Sequence, residues 1–100
     1  MKTLIIIPTY NELENLPRLI PEVLSKDENV SVLIVDDNSP DGTAGFVESQ
    51  MSNNNRIHLI KRPSKQGLGT AYIAGFKYAL QNSFQIIFEM DADFSHDPKE

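Results

Sequence analysis

The chain has 100 residues, 40% of them apolar and 23% charged, which excludes a disordered segment and sets the scale of one small domain or one part of a larger one. A formal net charge of -5 and a pI near 4.9 exclude a surface built to wrap nucleic acid, since such surfaces concentrate Lys and Arg on one face. Cysteine is absent, which rules out disulfides, thiolate metal sites and a cysteine nucleophile.

Leu4-Ile5-Ile6-Ile7 is a continuous apolar run rich in β-branched residues, the pattern of a strand buried on both faces, and it is too short for a signal-peptide core or a membrane span. Leu16, Leu19, Ile20, Val23 and Leu24 then fall at helical spacing. A start near Asn15 places Pro17 in the first turn, where proline is tolerated, whereas Pro21 predicts a kink. Val30 to Val35 reads as a second buried strand, and a helix follows Asp41-Gly42-Thr43 with Phe46, Val47 and Met51 turned inward.

Ser52-Asn53-Asn54-Asn55 is a polar loop before the strand Ile57 to Ile60. A third helix is expected from Ala71 to about Leu80, after Gln66-Gly67-Leu68-Gly69-Thr70, with Ala71, Ala74, Gly75, Tyr78 and Ala79 as a narrow face that lies close to a sheet. Phe84 to Met90 is the fourth strand. Strands and helices in alternation predict a doubly wound α/β fold: a mostly parallel sheet with helices on both faces. Residues 1–100 read as the amino-terminal part of a larger enzyme domain.

In such sheets ligands bind beyond the carboxyl ends of the strands, near the switch in strand order. The distinctive polar clusters all occupy strand ends: Pro8-Thr9-Tyr10-Asn11-Glu12, Asp36-Asp37-Asn38-Ser39, Lys61-Arg62 with the glycine loop, and Asp91-Ala92-Asp93. Asp91 and Asp93, two apart in extended backbone, face the same side and repel unless a cation lies between them. Mg²⁺ or Mn²⁺, hard ions that commonly arrive with substrate phosphates, would relieve that repulsion.

Other features carry two readings each. Asp36 and Asp37 are adjacent and point in opposite directions, so one is expected to brace the loop and the other to meet the ligand. Lys61, Arg62 and Lys65 form a basic trio small enough for one diphosphate, or a solvated loop. The loop Lys65 to Thr70 lacks a phosphate-loop fingerprint and reads as a glycine hinge, with Lys65 a candidate diphosphate contact. His58 reads as structural and His96 as a residue near the metal or acceptor; neither has zinc-site spacing.

Taken together, Ile7-Pro8-Thr9-Tyr10-Asn11-Glu12, Val35 through Thr43, Gly67-Leu68-Gly69-Thr70-Ala71-Tyr72 and Met90 through His96 resemble the family 2 glycosyltransferases, and within them the dolichol-phosphate or polyprenol-phosphate mannosyltransferases. The resemblance implies a GT-A-like nucleotide-diphospho-sugar transferase fold. It also implies that Pro8, Tyr10 and Glu12 hold the base and ribose, that Val35 and Asp37 contact the same nucleoside, and that Asp91, Ala92 and Asp93 meet the donor diphosphate. Asp91 and Asp93 would be the metal ligands, and Ser95 stands where several relatives carry glutamine.

The implied reaction moves mannose from GDP-mannose, or another sugar from its nucleotide, to a dolichyl or polyprenyl phosphate with inversion. It would take place in the cytoplasm or at the cytoplasmic face of a membrane, with peripheral membrane association and no nucleic acid partner. Catalytic residues are not assigned. Competing readings are a phosphoacceptor signalling domain and a haloacid-dehalogenase-like phosphatase, whose acidic motifs normally close the first strand, and a nucleotide-binding fragment without turnover.

Overall fold

A computed structural model describes residues 2–64 and 66–92. Its elements alternate as β1 (Thr3–Thr9), α1 (Leu16–Leu24), β2 (Val30–Asp36), α2 (Thr43–Met51), β3 (Ile57–Lys61), α3 (Leu68–Gln81) and β4 (Ile86–Glu89). The strands form one sheet in the order β3-β2-β1-β4, and every pairing is parallel. β1 is central: Thr3 lies opposite Val30 on one side and Ile86 on the other.

Alternation of side chains divides the strands between two cores. Ile5, Ile7, Val32 and Ile34 join the apolar stripe of α1 and Val47 of α2 on one face, while Leu4, Ile6, Leu33 and Val35 meet Ala71 and Ala79 of α3 on the other. The chain thus steps outward from β1 to β3 over one face and returns over the opposite face to place β4 beside β1. That reversal is the switch in strand order, and it lies between β1 and β4.

Several boundaries differ from the expectations. α1 runs continuously through Pro21; the carbonyl that Pro21 cannot serve belongs to Pro17, and both prolines are exposed, so water can take the vacant acceptor. Met51 is 38% exposed rather than inward, because it ends α2 where the helix gives way to the polar turn. α3 starts at Leu68, so Gly69 and Thr70 belong to the helix instead of a loop. β4 is shorter than Phe84 to Met90; Phe84 lies before it and packs under α3.

Two backbone features fit α3 to the sheet. A Cβ built on Gly75 would lie 2.6 Å from Ile6 Cδ1, so only glycine permits this approach to β1. At the other end Ser83 takes φ 61, and the Phe84 N–H donates to the Ala79 carbonyl at 3.1 Å, closing the helix with a left-handed turn. Among the described residues no helix is long and apolar enough to cross a membrane.

Candidate functional site

A cleft of about 340 Å³ opens at the carboxyl end of the sheet, at the switch point. Pro8, Thr9, Tyr10 and Glu12 enter it from the end of β1, Asp37 from the end of β2, Gly67, Leu68 and Ala71 from the start of α3, and Asp91 and Ala92 from beyond β4. Residues from four parts of the sequence therefore line one cleft.

The adjacent carboxylates divide their work. Asp36 is 1% exposed and accepts hydrogen bonds from Thr9 Oγ1 at 2.6 Å, Ser39 Oγ at 2.6 Å and Ser39 N at 3.0 Å, so it ties β1 to the loop after β2. Asp37 turns the other way and lines the cleft. Its Oδ1 receives Arg62 Nε at 2.6 Å and its Oδ2 receives Arg62 Nη2 at 2.8 Å, and Gln66 N lies 3.3 Å from Oδ2.

Arg62 was expected in a basic trio, and for Arg62 itself the structure corrects both readings. The guanidinium is neither solvated nor offered to a diphosphate: it is 9% exposed and bonded to Asp37, to Thr70 Oγ1 at 2.8 Å and to the Gly67 carbonyl at 3.2 Å. Lys61 is exposed and pairs with Glu48 at 3.6 Å, while Lys65 lies outside the described residues. The two-pronged guanidinium compensates the Asp37 carboxylate where it is buried. The Arg62 fork also fixes the glycine turn relative to Asp37.

Gly67 precedes α3 with φ 95 and ψ 156, a region open essentially to glycine. The turn brings the amino end of α3 to the cleft wall, leaving the amides of Leu68, Gly69 and Thr70 outside the helical ladder. Gly67 itself lines the cleft.

A second network fixes the loop that carries Tyr10 and Glu12. Ser39 Oγ accepts from Asn11 N at 2.9 Å, Thr43 Oγ1 from Glu12 N at 3.2 Å and Asp41 Oδ2 from Leu13 N at 3.1 Å. Burial alone raises the Asp41 pKa, but hydrogen bonds from the Thr43 hydroxyl and the Leu13 and Thr43 amides outweigh it and hold the group below 3.8. Glu12 also accepts from Asn15 Nδ2 at 3.0 Å at the start of α1. Tyr10 remains 40% exposed at the mouth of the cleft.

Also lining the cleft, Asp91 follows β4, and Ala92 is buried at 4% exposure, which anchors the turn. Burial of the Tyr72 ring of α3, then the charges of Asp91 and Glu89, push its phenol above the usual 10.0. Asp91 supplies a hard oxygen donor, the type that Mg²⁺ and Mn²⁺ accept while drawing other ligands from phosphate and water. Among the described residues no three Asp, Glu, His or Cys side chains gather as a metal cage.

Of the residues predicted for the site, Pro8, Tyr10, Glu12, Asp37, Asp91 and Ala92 line the cleft together. Val35 does not: it is fully buried against α3, one residue before Asp36. Asp93, Ser95 and His96 lie outside the described residues. His58 is structural in its contacts, meeting the Tyr78 hydroxyl at 2.7 Å. Thr9, which lines the cleft, was missed as an individual residue. Thr9 faces Asp36 in register, a relation visible only once β1 and β2 are aligned.

Comparison with known proteins agrees with this architecture. The family model described as glycosyl transferase family 2 matches residues 4–100. The chain is 48% identical over 100 residues to polyprenol monophosphomannose synthase of Mycolicibacterium smegmatis, which covers 99% of this chain and 38% of that protein. It is 43% identical over 100 residues to undecaprenyl-phosphate mannosyltransferase of Micrococcus luteus, covering 100% of this chain and 41% of that one. The chain thus spans about two fifths of the length of these curated relatives.

The solved structure of mannosyltransferase PcManGT from Pyrobaculum calidifontis, in complex with GDP-Man and Mn²⁺, superposes with a TM-score of 0.80 at 24% identity, covering 92% of this chain and 27% of that one. The parallel sheet with helices on both faces is therefore the GT-A arrangement. With its cleft at the switch point and the family model spanning almost every residue, the chain belongs to glycosyl transferase family 2.

Proposed function

We propose that this chain forms the donor-binding part of an enzyme that transfers mannose from GDP-mannose to a polyprenyl phosphate. The carrying observation is the convergence of Tyr10, Glu12, Asp37, Asp91 and Ala92 on one cleft. The names of the two relatives support the mannosyl group and the lipid-phosphate acceptor.

Tyr10 offers an exposed ring against which a base can stack, and Asp37 presents carboxylate lone pairs to the N–H and O–H donors of a nucleoside. Asp91, together with Asp93, would hold Mg²⁺ or Mn²⁺ against the diphosphate. When bound, such an ion supplies Lewis-acid stabilisation of the charge that builds on the departing nucleoside diphosphate. A lipid phosphate is already anionic near neutral pH and attacks the anomeric carbon without a general base, so one displacement with inversion suffices. The lipid acceptor places the reaction at a membrane surface, with a cytoplasmic nucleotide sugar as donor.

Calorimetry with GDP and Mn²⁺, paired with a transfer assay using GDP-mannose, UDP-glucose and polyprenyl phosphate, tests this reading. Binding of GDP that needs Asp91, with transfer from GDP-mannose alone, supports it. Transfer from UDP-glucose but not GDP-mannose would sink the mannose assignment. Tight GDP binding without transfer would leave a nucleotide-binding module.

A further inference from the structure

Asp37 follows β2 and Arg62 follows β3, each directly after one of the paired residues Asp36 and Lys61. Both are buried, Asp37 at 8% exposure and Arg62 at 9%, yet Asp37 lines the cleft. The two oxygens of its carboxylate are not equivalent. Oδ2 receives Arg62 Nη2 at 2.8 Å and the Gln66 amide at 3.3 Å, whereas among the described residues Oδ1 receives one donor, Arg62 Nε at 2.6 Å. A carboxylate has about four lone-pair positions shared between its oxygens, so the position left for a ligand is on Oδ1. The guanidinium is fixed in turn, since Nη1 donates to Thr70 Oγ1 at 2.8 Å and Nη2 to the Gly67 carbonyl at 3.2 Å.

We propose that Arg62 is a positioning residue for nucleoside recognition, whose fork fixes the plane of the Asp37 carboxylate and leaves Oδ1 to accept one N–H or O–H from the nucleoside part of the ligand. The inference rests on the reading of Asp37 as a nucleoside contact. A group that is already ordered loses little further freedom when its ligand arrives, so the fork raises affinity without touching the ligand. An ionised carboxylate only accepts, which disfavours a ring edge that presents only acceptors at this point. Because the guanidinium is turned to Asp37, Thr70 and Gly67, it acts through Asp37 and not on the diphosphate.

Calorimetry with GDP and with inorganic pyrophosphate, each in the presence of Mn²⁺, separates the nucleoside from the diphosphate. Arg62→Lys keeps a positive charge beside Asp37 but cannot reproduce the fork. At a temperature where the variant is folded, its affinity for GDP should fall about 10-fold, the weight of one hydrogen bond to a charged group, while its affinity for pyrophosphate stays that of the wild type. Asp37→Asn should show the same selective loss. Adding Arg62→Lys to Asp37→Asn should then weaken GDP no further, because a residue that acts through Asp37 has no effect without it.

An unchanged GDP affinity in Arg62→Lys, an equal loss for both ligands, or losses from the two substitutions that simply add would each overturn the positioning role. If the wild type binds GDP no better than pyrophosphate, or Asp37→Asn binds GDP as well as the wild type does, the nucleoside reading of Asp37 falls and the inference falls with it. Nitrogen-15 spectra of the wild type cover the case in which Arg62→Lys does not fold. The Arg62 Nε–H resonance should shift with GDP and not with pyrophosphate; one that stays in place with GDP, or shifts alike with both, overturns the inference.

Discussion

Arg62 and Asp37, separated by 25 positions in the sequence, meet as a buried two-pronged ion pair, with Nε 2.6 Å from Oδ1 and Nη2 2.8 Å from Oδ2. Remaining guanidinium contacts reach Thr70 and the Gly67 carbonyl, and the Arg62 amide donates to the Asp36 carbonyl at 2.8 Å. One side chain thus joins the ends of β2 and β3 to the start of α3.

Truncating one partner of this pair should be more damaging than its count of hydrogen bonds suggests. Arg62→Met leaves Asp37 buried without a counter-charge, a situation that costs about 3–5 kcal/mol. Arg62→Lys should recover only part of that loss, since a point-charge ammonium cannot reproduce the fork. Urea unfolding measures both; equal midpoints for Arg62→Met and wild type would show that the pair contributes nothing.

Gly75→Ala sets two effects against each other. Alanine improves helix propensity by about 1 kcal/mol, but its Cβ would lie 2.6–2.9 Å from three carbons of the fully buried Ile6. Overpacking costs about 1–3 kcal/mol, so the net change should be a loss. Ile6→Ala in the same chain removes the clash and should make the two substitutions non-additive. Thermal melts of the four combinations read this coupling, and additivity would contradict the close approach.

Ser83 holds a left-handed conformation at φ 61 that serine adopts at a cost. Ser83→Gly should stabilise the protein by about 1 kcal/mol, since glycine takes this cap conformation without strain. A lower denaturation midpoint would argue against the assigned turn.

Acid sensitivity should come in part from His58. Burial, with a smaller contribution from the Lys2 charge, lowers its pKa below 6.5. The unfolded chain therefore takes up the proton first. Stability due to neutral His58 is complete above pH 6.5, declines as pH falls below it, and stops declining once the folded group also titrates. In His58→Asn this segment of the stability curve should flatten between pH 7 and 5, and an unaltered slope would assign the loss to other groups.

Much of this was legible beforehand for simple reasons. Ile5, Ile7, Val32 and Ile34 lie in nearly continuous apolar runs, the pattern of strands buried on both faces. Tyr10, Asp37 and Asp91 could be gathered at one end because they follow the strands directly. Arg62 was misread because local sequence carries no sign of Asp37, which only strand pairing brings beside it. Val35, one position from a useful carboxylate, turns with the pleat into the core. Met51 had the right spacing, but spacing does not say where a helix runs out of neighbours.

The central place of β1 also orders assembly in time. β1 pairs with β2, and β2 with β3, across short connections, but β4 reaches β1 only after a loop of roughly eighty residues closes, with Thr3 meeting Ile86. Local pairings form before distant ones, so a three-stranded precursor can already hold Asp36, Asp37 and Arg62 in place. Asp91 joins the cleft in the last step, and on the ribosome that step waits for the entire segment that follows α3 to emerge.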